Sequence, residues 1–505
     1  MTVATPDPPS PPAAPMTTAP RPPVVPPAPP AWMSVSMVRW APGWLVAAAL
    51  GVGVLGDLAL RAELVGIATA VLVTVTAALL LLGGGLVSVQ SKVIVSLAPL
   101  FGVWAALRGS GWLLPLDLIA AFGLLLLGVS LSRGGSVADL PFAGIVSRCW
   151  HAFLHGCAAL EVLVRALPSM RRLRGPLGGP LLRGVLLAVP LLVILGVLLV
   201  SGDAVFASFV TVDVDLDVAD LIGHVFLVAV ATWVFLWLVR VADAEPAAAL
   251  PTPRARLGTV EVTVVLSSVV ALFGAFAVSQ LVAVIGGDDY VRRTTGLTYA
   301  EYARSGFFQL LWVAALTVAA MLLLRAVTDV GRAPRRFAVL FGAACALTLL
   351  IVAAAIRRLA LYQDAFGMTM LRLYCTLFAV WIGVVLVLLA AWLTRRWSRA
   401  WFPAAAAGCG LALLLGLNAV NPEALVARTN LQRDAVPRTD TRYLADLSDD
   451  AVPTIVGLLP ALDADVRRQL TDRLCASRPS GSDGWTGWNL ARSRADAARA
   501  DLCPR

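Results

Sequence analysis

A chain of 505 residues with 59% hydrophobic and only 14% charged residues carries more apolar surface than a water-soluble globule buries, and its mean hydropathy of +0.82 points to lipid as its solvent. The formal charge of +9 gives no nucleic-acid signature, because the arginines lie singly or in pairs between apolar runs and form no basic face interleaved with aromatics. The seven cysteines form no CxxC pair, so zinc ribbons, thioredoxin chemistry and a disulfide scaffold have no support.

Lys92 is the only lysine, and with abundant Ala, Gly, Pro and Val this reads as high-GC bacterial codon bias. Residues 1–40 are Pro-rich and predict a disordered cytoplasmic tail, since such a composition favours extended conformers and builds no core. Trp44 to Leu60 then reads as a retained membrane span rather than a cleaved leader. Further runs of spanning length follow at Leu64–Leu82, Val93–Leu107, Trp112–Leu131, Val185–Ser201, Leu221–Val241, Thr259–Ile285, Gly306–Leu324, Phe337–Ile356, Arg372–Leu393 and Phe402–Val420. The prediction is an all-α polytopic transmembrane helix bundle of about 11 spans over residues 41–420. A small helical tail domain follows at 421–505.

Positive charge resists translocation, so the arginine-rich loop from Ser132 to Gly184 is placed inside. Alternation then puts Lys92, the Arg240–Arg256 loop, the Arg325–Arg336 loop and Arg395, Arg396 and Arg399 inside too, and the acidic segment Gly202–Asp220 outside. The N-terminus is cytoplasmic and the tail extracytoplasmic, as in a multi-pass protein of the bacterial cell membrane. Within the long inner loop, Phe142 to Leu167 predicts a helix lying along the inner surface. Gly83–Gly85 and Gly134–Gly135 read as turns. His151 and His155 share a helical face near Cys157 and Glu161, but no HExxH pattern accompanies them, and no metal or cofactor is expected. His224 stands alone at the outer start of a span, and Asp57 and Asp117 lie near outer span ends.

Four polar segments fall on the outer side. In Tyr290–Arg304, Thr298 and Glu301 have capping-box spacing, and Tyr299, Tyr302 and Arg304 are polar beyond it. In Arg357–Arg372, Arg358 and Tyr362 share a helix face, Gly367 allows a turn, and Asp364, a lipid phosphate or a bound anion would compensate Arg358 and Arg372. In Asn418–Arg433, Asn421 is an N-cap with Pro422 first in the helix, followed by Arg428, Asn430 and Arg433. The fourth is the tail, from Tyr443–Pro453 through Trp485 and Trp488, where Cys475 and Cys503 have the opportunity to pair.

The blocks Gly296–Arg304, Asn421–Asn430 and Tyr443–Pro453 resemble bacterial multipass proteins grouped as domains of unknown function 4153 and 4173, over about Trp44 to Leu474. The resemblance implies a membrane protein of unassigned role and supplies no catalytic residues. From the residues themselves, the reading is a polar, Arg/Tyr-rich outer face that binds an anionic, envelope or lipid component. Its partners are the bilayer and an anionic lipid or envelope component, with no nucleic acid. The alternatives are a membrane-embedded enzyme acting on a lipid-linked substrate, and a small-solute transporter. Ionisable residues near the midplane, which a transporter needs, are scarce.

Overall fold

The computed structural model describes residues 42–62, 65–162, 218–246, 257–295, 306–328, 334–394, 400–433, 440–476 and 484–503, with four isolated positions at 188, 192, 195 and 199. Among these the regular elements are helices, with one isolated bridge between Leu257 and Thr328. The helices are α1 (Trp44–Arg61), α2 (Ile67–Leu82), α3 (Val89–Gly102), α4 (Trp104–Leu107), α5 (Leu113–Ser130), α6 (Phe142–Cys157), α7 (Val218–Asp243), α8 (Thr259–Thr295) and α9 (Phe307–Val327). They continue with α10 (Pro334–Phe366), α11 (Met370–Thr394), α12 (Phe402–Val420), α13 (Pro422–Leu431), α14 (Thr441–Ala445), α15 (Val452–Leu458), α16 (Ala464–Ala476) and α17 (Leu490–Leu502).

Nine of the described helical segments are long and apolar enough to cross a membrane, so the chain is a multi-pass membrane protein. Helix α2, at 16 residues, spans only about 24 Å and falls just short. Apart from four isolated positions, the predicted span Val185–Ser201 lies outside the described residues, as do the N-terminal tail and, of the predicted outer segment Tyr290–Arg304, residues 296–304. The predicted third span is longer than its apolar run suggests. Ser88 caps it at the polar end, its hydroxyl accepting from Ser91 N at 3.0 Å, and Pro99 interrupts its hydrogen-bond ladder before α4.

The spans form two groups. Helices α1, α2, α3, α5 and α7 share one apolar core, in which Leu45, Val95, Leu124 and Leu236 are buried. Helices α8 to α11 share a second core, around Phe273, Leu311, Ile351 and Leu386 near one end and Phe337, Phe341 and Phe402 near the other. Small residues set the close crossings of the first group: a Cβ on Gly56 would stand 2.3 Å from the Ala231 Cβ, and one on Gly128 2.6 Å from Val95 Cγ2. Helix α12 touches both groups, packing on α5 and on α11.

The hydrogen bonds that the described C-terminal tail makes to the bundle fall at one end, here the tail face. That face holds the α1–α2 link, the α4–α5 link, the α10–α11 turn and the α12–α13 corner. The far face gathers the basic links. Arg133 pairs with Asp243, Arg240 Nη1 lies 2.8 Å from Glu161, and Arg148 Nη2 donates to Gly134 O at 2.9 Å. Helix α6 ends at Cys157 within the helix predicted for Phe142–Leu167, whose residues 163–167 lie outside the described residues, and it packs on α7, where Trp237 Nε1 donates to Ala152 O at 2.7 Å and Trp233 Nε1 to Gly156 O at 3.0 Å. Gly84 and Gly135 adopt left-handed turn conformations at φ +78° and +95°, as their sequence context predicts.

Candidate functional site

The described outer-face candidates are mostly engaged within the chain. Helix α10 runs on past its apolar stretch to Phe366, so Arg358 and Tyr362 share a helical face, and Gly367 then turns the chain at φ +81°. The Arg372 guanidinium lies 4.1 Å from the centroid of the Tyr362 ring and donates to Phe366 O at 3.2 Å and Gly367 O at 2.5 Å. Arg358 donates to Gln280 Oε1 at 3.2 Å. Arg433 donates to Gln363 O at 2.7 Å and pairs with Asp364 at 2.9 Å. Asn430 grips the turn twice: its Oδ1 accepts from Met368 N at 2.8 Å and its Nδ2 donates to Met368 O at 2.7 Å. Arg428 points outward and is exposed. Tyr299, Glu301, Tyr302 and Arg304 lie outside the described residues.

Asn421 occupies a corner at φ 57°. Its Oδ1 caps α13 through Ala424 N at 3.2 Å, and its Nδ2 donates to Asp450 O at 3.0 Å. Glu423, expected at the positive end of the α13 dipole, is buried and accepts from Ser448 N at 2.5 Å. The Asn421 and Tyr443 blocks therefore clamp one another, and the tail packs its own apolar cluster of Leu444, Ile455, Leu459, Leu470 and Leu474 above them. Cys475 and Cys503 are joined in a disulfide, with Cα atoms 5.7 Å apart.

Sequence reasoning undervalued the polar cluster beneath this clamp. Arg108, between α4 and α5, donates through Nε and Nη2 to Asn418 O at 2.9 and 2.6 Å, and its Nη1 reaches Asp450 Oδ1 at 3.3 Å. Asp450 also accepts from Gly109 N at 2.7 Å. Its burial pushes its carboxyl above the usual carboxylate range, with Arg108 opposing the shift. One layer deeper, Asn418 Nδ2 donates to Asp117 Oδ1 at 2.8 Å, and both residues are almost fully buried. Tyr374 of α11 lies tilted against Trp112, with ring centroids 5.7 Å apart, and its hydroxyl meets that of Ser110. Among the described residues, no hydrogen-bond partner meets Asn418 Oδ1, although it is buried.

Tyr374 also lines an apolar groove of about 740 Å³ where the two helix groups meet, between α5, α11 and α12. Leu116, Gly123 and Leu127 form one wall, Phe378 and Trp381 the second, and Gly410 and Leu414 the third. From Leu116 to Leu127 the groove follows α5 for roughly 16 Å. Trp112, Leu116, Ile119 and Phe378 are 54%, 46%, 68% and 45% exposed, so the groove opens sideways at membrane depth. In a bilayer such an opening faces lipid chains.

His224 does not stand alone. Its Nδ1 lies 2.6 Å from Asp57 Oδ2 and its Nε2 3.4 Å from Asp220 Oδ2, while Arg61 pairs with Asp220. On the far face, the His151 and His155 rings lie tilted at 33° with centroids 6.3 Å apart, and His155 Nδ1 lies 2.7 Å from His151 O. Among the described residues no three His, Cys, Asp or Glu side chains converge as a metal site would require.

A family model described as a domain of unknown function (DUF4153) matches residues 95–458, about seven-tenths of the chain. The chain belongs to that family. No curated protein and no solved structure matches it. The matched region contains α5, α11, α12, Arg108 and Asp450, and so the whole groove and its polar end.

Proposed function

We propose that this protein binds a membrane amphiphile, with the apolar chain in the groove between α5, α11 and α12 and the polar end held beneath the tail. The observation that carries this is the lipid-facing apolar groove itself, about 740 Å³ between three helices, with the phenol of Tyr374 in its lining. An anion held by the arginine set has less support, because Arg358, Arg372 and Arg433 already bond to groups of the chain itself. We place the tail face on the extracytoplasmic side of a cell membrane, a reading supported by the basic far face and by the tail disulfide. Native mass spectrometry of the full chain released from bilayer discs tests the binding role. A retained lipid that disappears in Gly123→Leu supports it, and delipidated wild type with no mass increment counts against it. The leucine has room, since a Cβ at Gly123 meets no atom within 4 Å.

A second reading, an enzyme acting at the tail face, rests on Asp57 and His224. A buried carboxylate 2.6 Å from a half-exposed imidazole is how a general base is oriented. Loss of a cellular phenotype in His224→Gln at normal membrane abundance would favour it, and an unchanged phenotype would remove it.

A further inference from the structure

We infer that α6 is a re-entrant helix: it enters the bilayer at the far face, ends near mid-depth beside α7, and lays a stripe of apolar side chains against the acyl chains of that leaflet. Polarity on α6 is inverted relative to a helix at a water surface. Its exposed residues are Phe142, Ala143, Val146, Cys149, Phe153 and Cys157, and all but Ala143 follow the spacing of a single helix face. None is charged, and a free cysteine packs as a small hydrophobe. Phe142, Val146 and Phe153 are 41%, 57% and 58% exposed. The polar side chains turn the other way: Ser147, His151 and His155 are buried, and Arg148 donates to Ser130 O and Gly134 O.

The bonds to α7 set the depth. Trp237 bonds to Ala152, and Trp233, four residues back along α7, bonds to Gly156, four residues on along α6, so the two helices run antiparallel. The first turns of α6 are level with far-face helix ends, since Arg148 meets Ser130 at the end of α5 and the Phe142 ring lies 6.2 Å from that of Phe402, the first residue of α12. Gly156 then stands beside Trp233, ten positions or roughly 15 Å from the end of α7 at Asp243, which is half of a hydrocarbon core of about 30 Å. The exposure of α7 changes at the same level. On the far-face side Phe235, Leu236, Leu238 and Val239 are no more than 4% exposed, whereas Leu221, Val225 and Trp233 are 52%, 52% and 36% exposed.

Past Cys157 the chain reverses. Ala158 N and Ala159 N donate to His155 O and Gly156 O in a turn, and Glu161 returns to Arg240, seven positions from Trp233 toward the far face, at 2.8 Å. Ala159 and Val162 are fully buried in the first apolar core, and irregular backbone at this depth needs such protein cover. The flat surface helix expected from sequence would meet α7 at one level only and would turn a polar face to water.

The test uses the full chain in lipid discs with two phospholipid probes, one carrying a photoreactive diazirine in its headgroup and the other at its acyl terminus, followed by peptide mapping of α6. The ratio of acyl to headgroup labelling should rise several-fold from Phe142 to Phe153. In the same discs a water-soluble maleimide should modify Cys149 and Cys157 about ten-fold less than it does after unfolding in detergent. A constant ratio along the stripe overturns re-entry and returns α6 to the surface. Ready maleimide reaction at both cysteines shows a face open to water, and a stripe that neither lipid probe labels is covered by protein; either result overturns the lipid contact.

Discussion

Arg108 and Asp450, which lie 342 positions apart in the chain, meet at 3.3 Å across the boundary between the membrane helices and the tail. The Asp450 side chain is 2% exposed and that of Arg108 19%, so water does little to screen the pair. Removing Arg108 strands a buried carboxylate, whereas replacing both partners with apolar residues does not. Arg108→Ala should weaken tail attachment by about 3 kcal/mol, read as faster amide exchange in α14 and α15, and Arg108→Met with Asp450→Leu should recover much of it. Unchanged exchange in the single variant would show that the ion pair does not hold the tail.

The Asn430 clamp on the α10–α11 turn predicts a second effect. Gly367→Ala places a side chain at φ +81° and brings a Cβ to 3.1 Å from Asn430 Oδ1, so strain and crowding act together. We expect a loss of about 1–2 kcal/mol in thermal or denaturant unfolding of the solubilised protein. Asn430→Ala, which strands the N–H and C=O of Met368, should cost a similar amount.

The Cys475–Cys503 disulfide closes a loop of 28 positions, for which chain entropy gives about 3–4 kcal/mol. Cys475→Ser should loosen α16 and α17 in amide exchange and leave α5 and α12 unaffected. In intact cells both thiols of the wild type should resist alkylation until a reductant is added. Ready alkylation without reductant would argue for a cytosolic tail.

Acid should release α6. Burial lowers the His155 pKa, with its backbone bond to His151 opposing and Arg240 and His151 reinforcing the shift. A depressed imidazole pKa means that the unfolded chain binds more protons, so stability is full above the ordinary histidine range and declines as pH falls through it toward the lower folded value. Protection factors across Phe142–Cys157, taken relative to the intrinsic exchange rate at each pH, should therefore fall as pH drops through the ordinary histidine range, and His155→Gln should flatten the change.

Spans were legible because hydropathy at membrane length is a one-dimensional signal, and arginine placement separated the two faces before any contact was known. The turn at Gly367 and the cap at Asn421 were legible for local reasons of φ and capping chemistry. The polar cluster was only half visible. Arg108, a cation on a short loop of the tail face, ran against the charge bias, and Asp117 and Asn418 interrupted apolar runs, each a warning that something buried needs them. Their convergence depends on pairings 301 to 342 positions apart, which no local pattern encodes. The arginines of the second and third outer segments drew attention for their charge, yet Arg372 and Arg433 bond to backbone carbonyls that a sequence does not locate.

The first turn of α2 gives its Ile67 and Ala68 amides to Trp488 O at 2.9 Å and Thr486 O at 3.2 Å. A helix made early in synthesis thus borrows its missing acceptors from residues made more than 400 positions later. Through most of translation and insertion that helix start is bare, and it is finished only when residues 486–488 have emerged and folded back over it. Closure of the bundle waits on these two carbonyls, so a ribosome that stops short of Thr486 releases a membrane protein with an open seam.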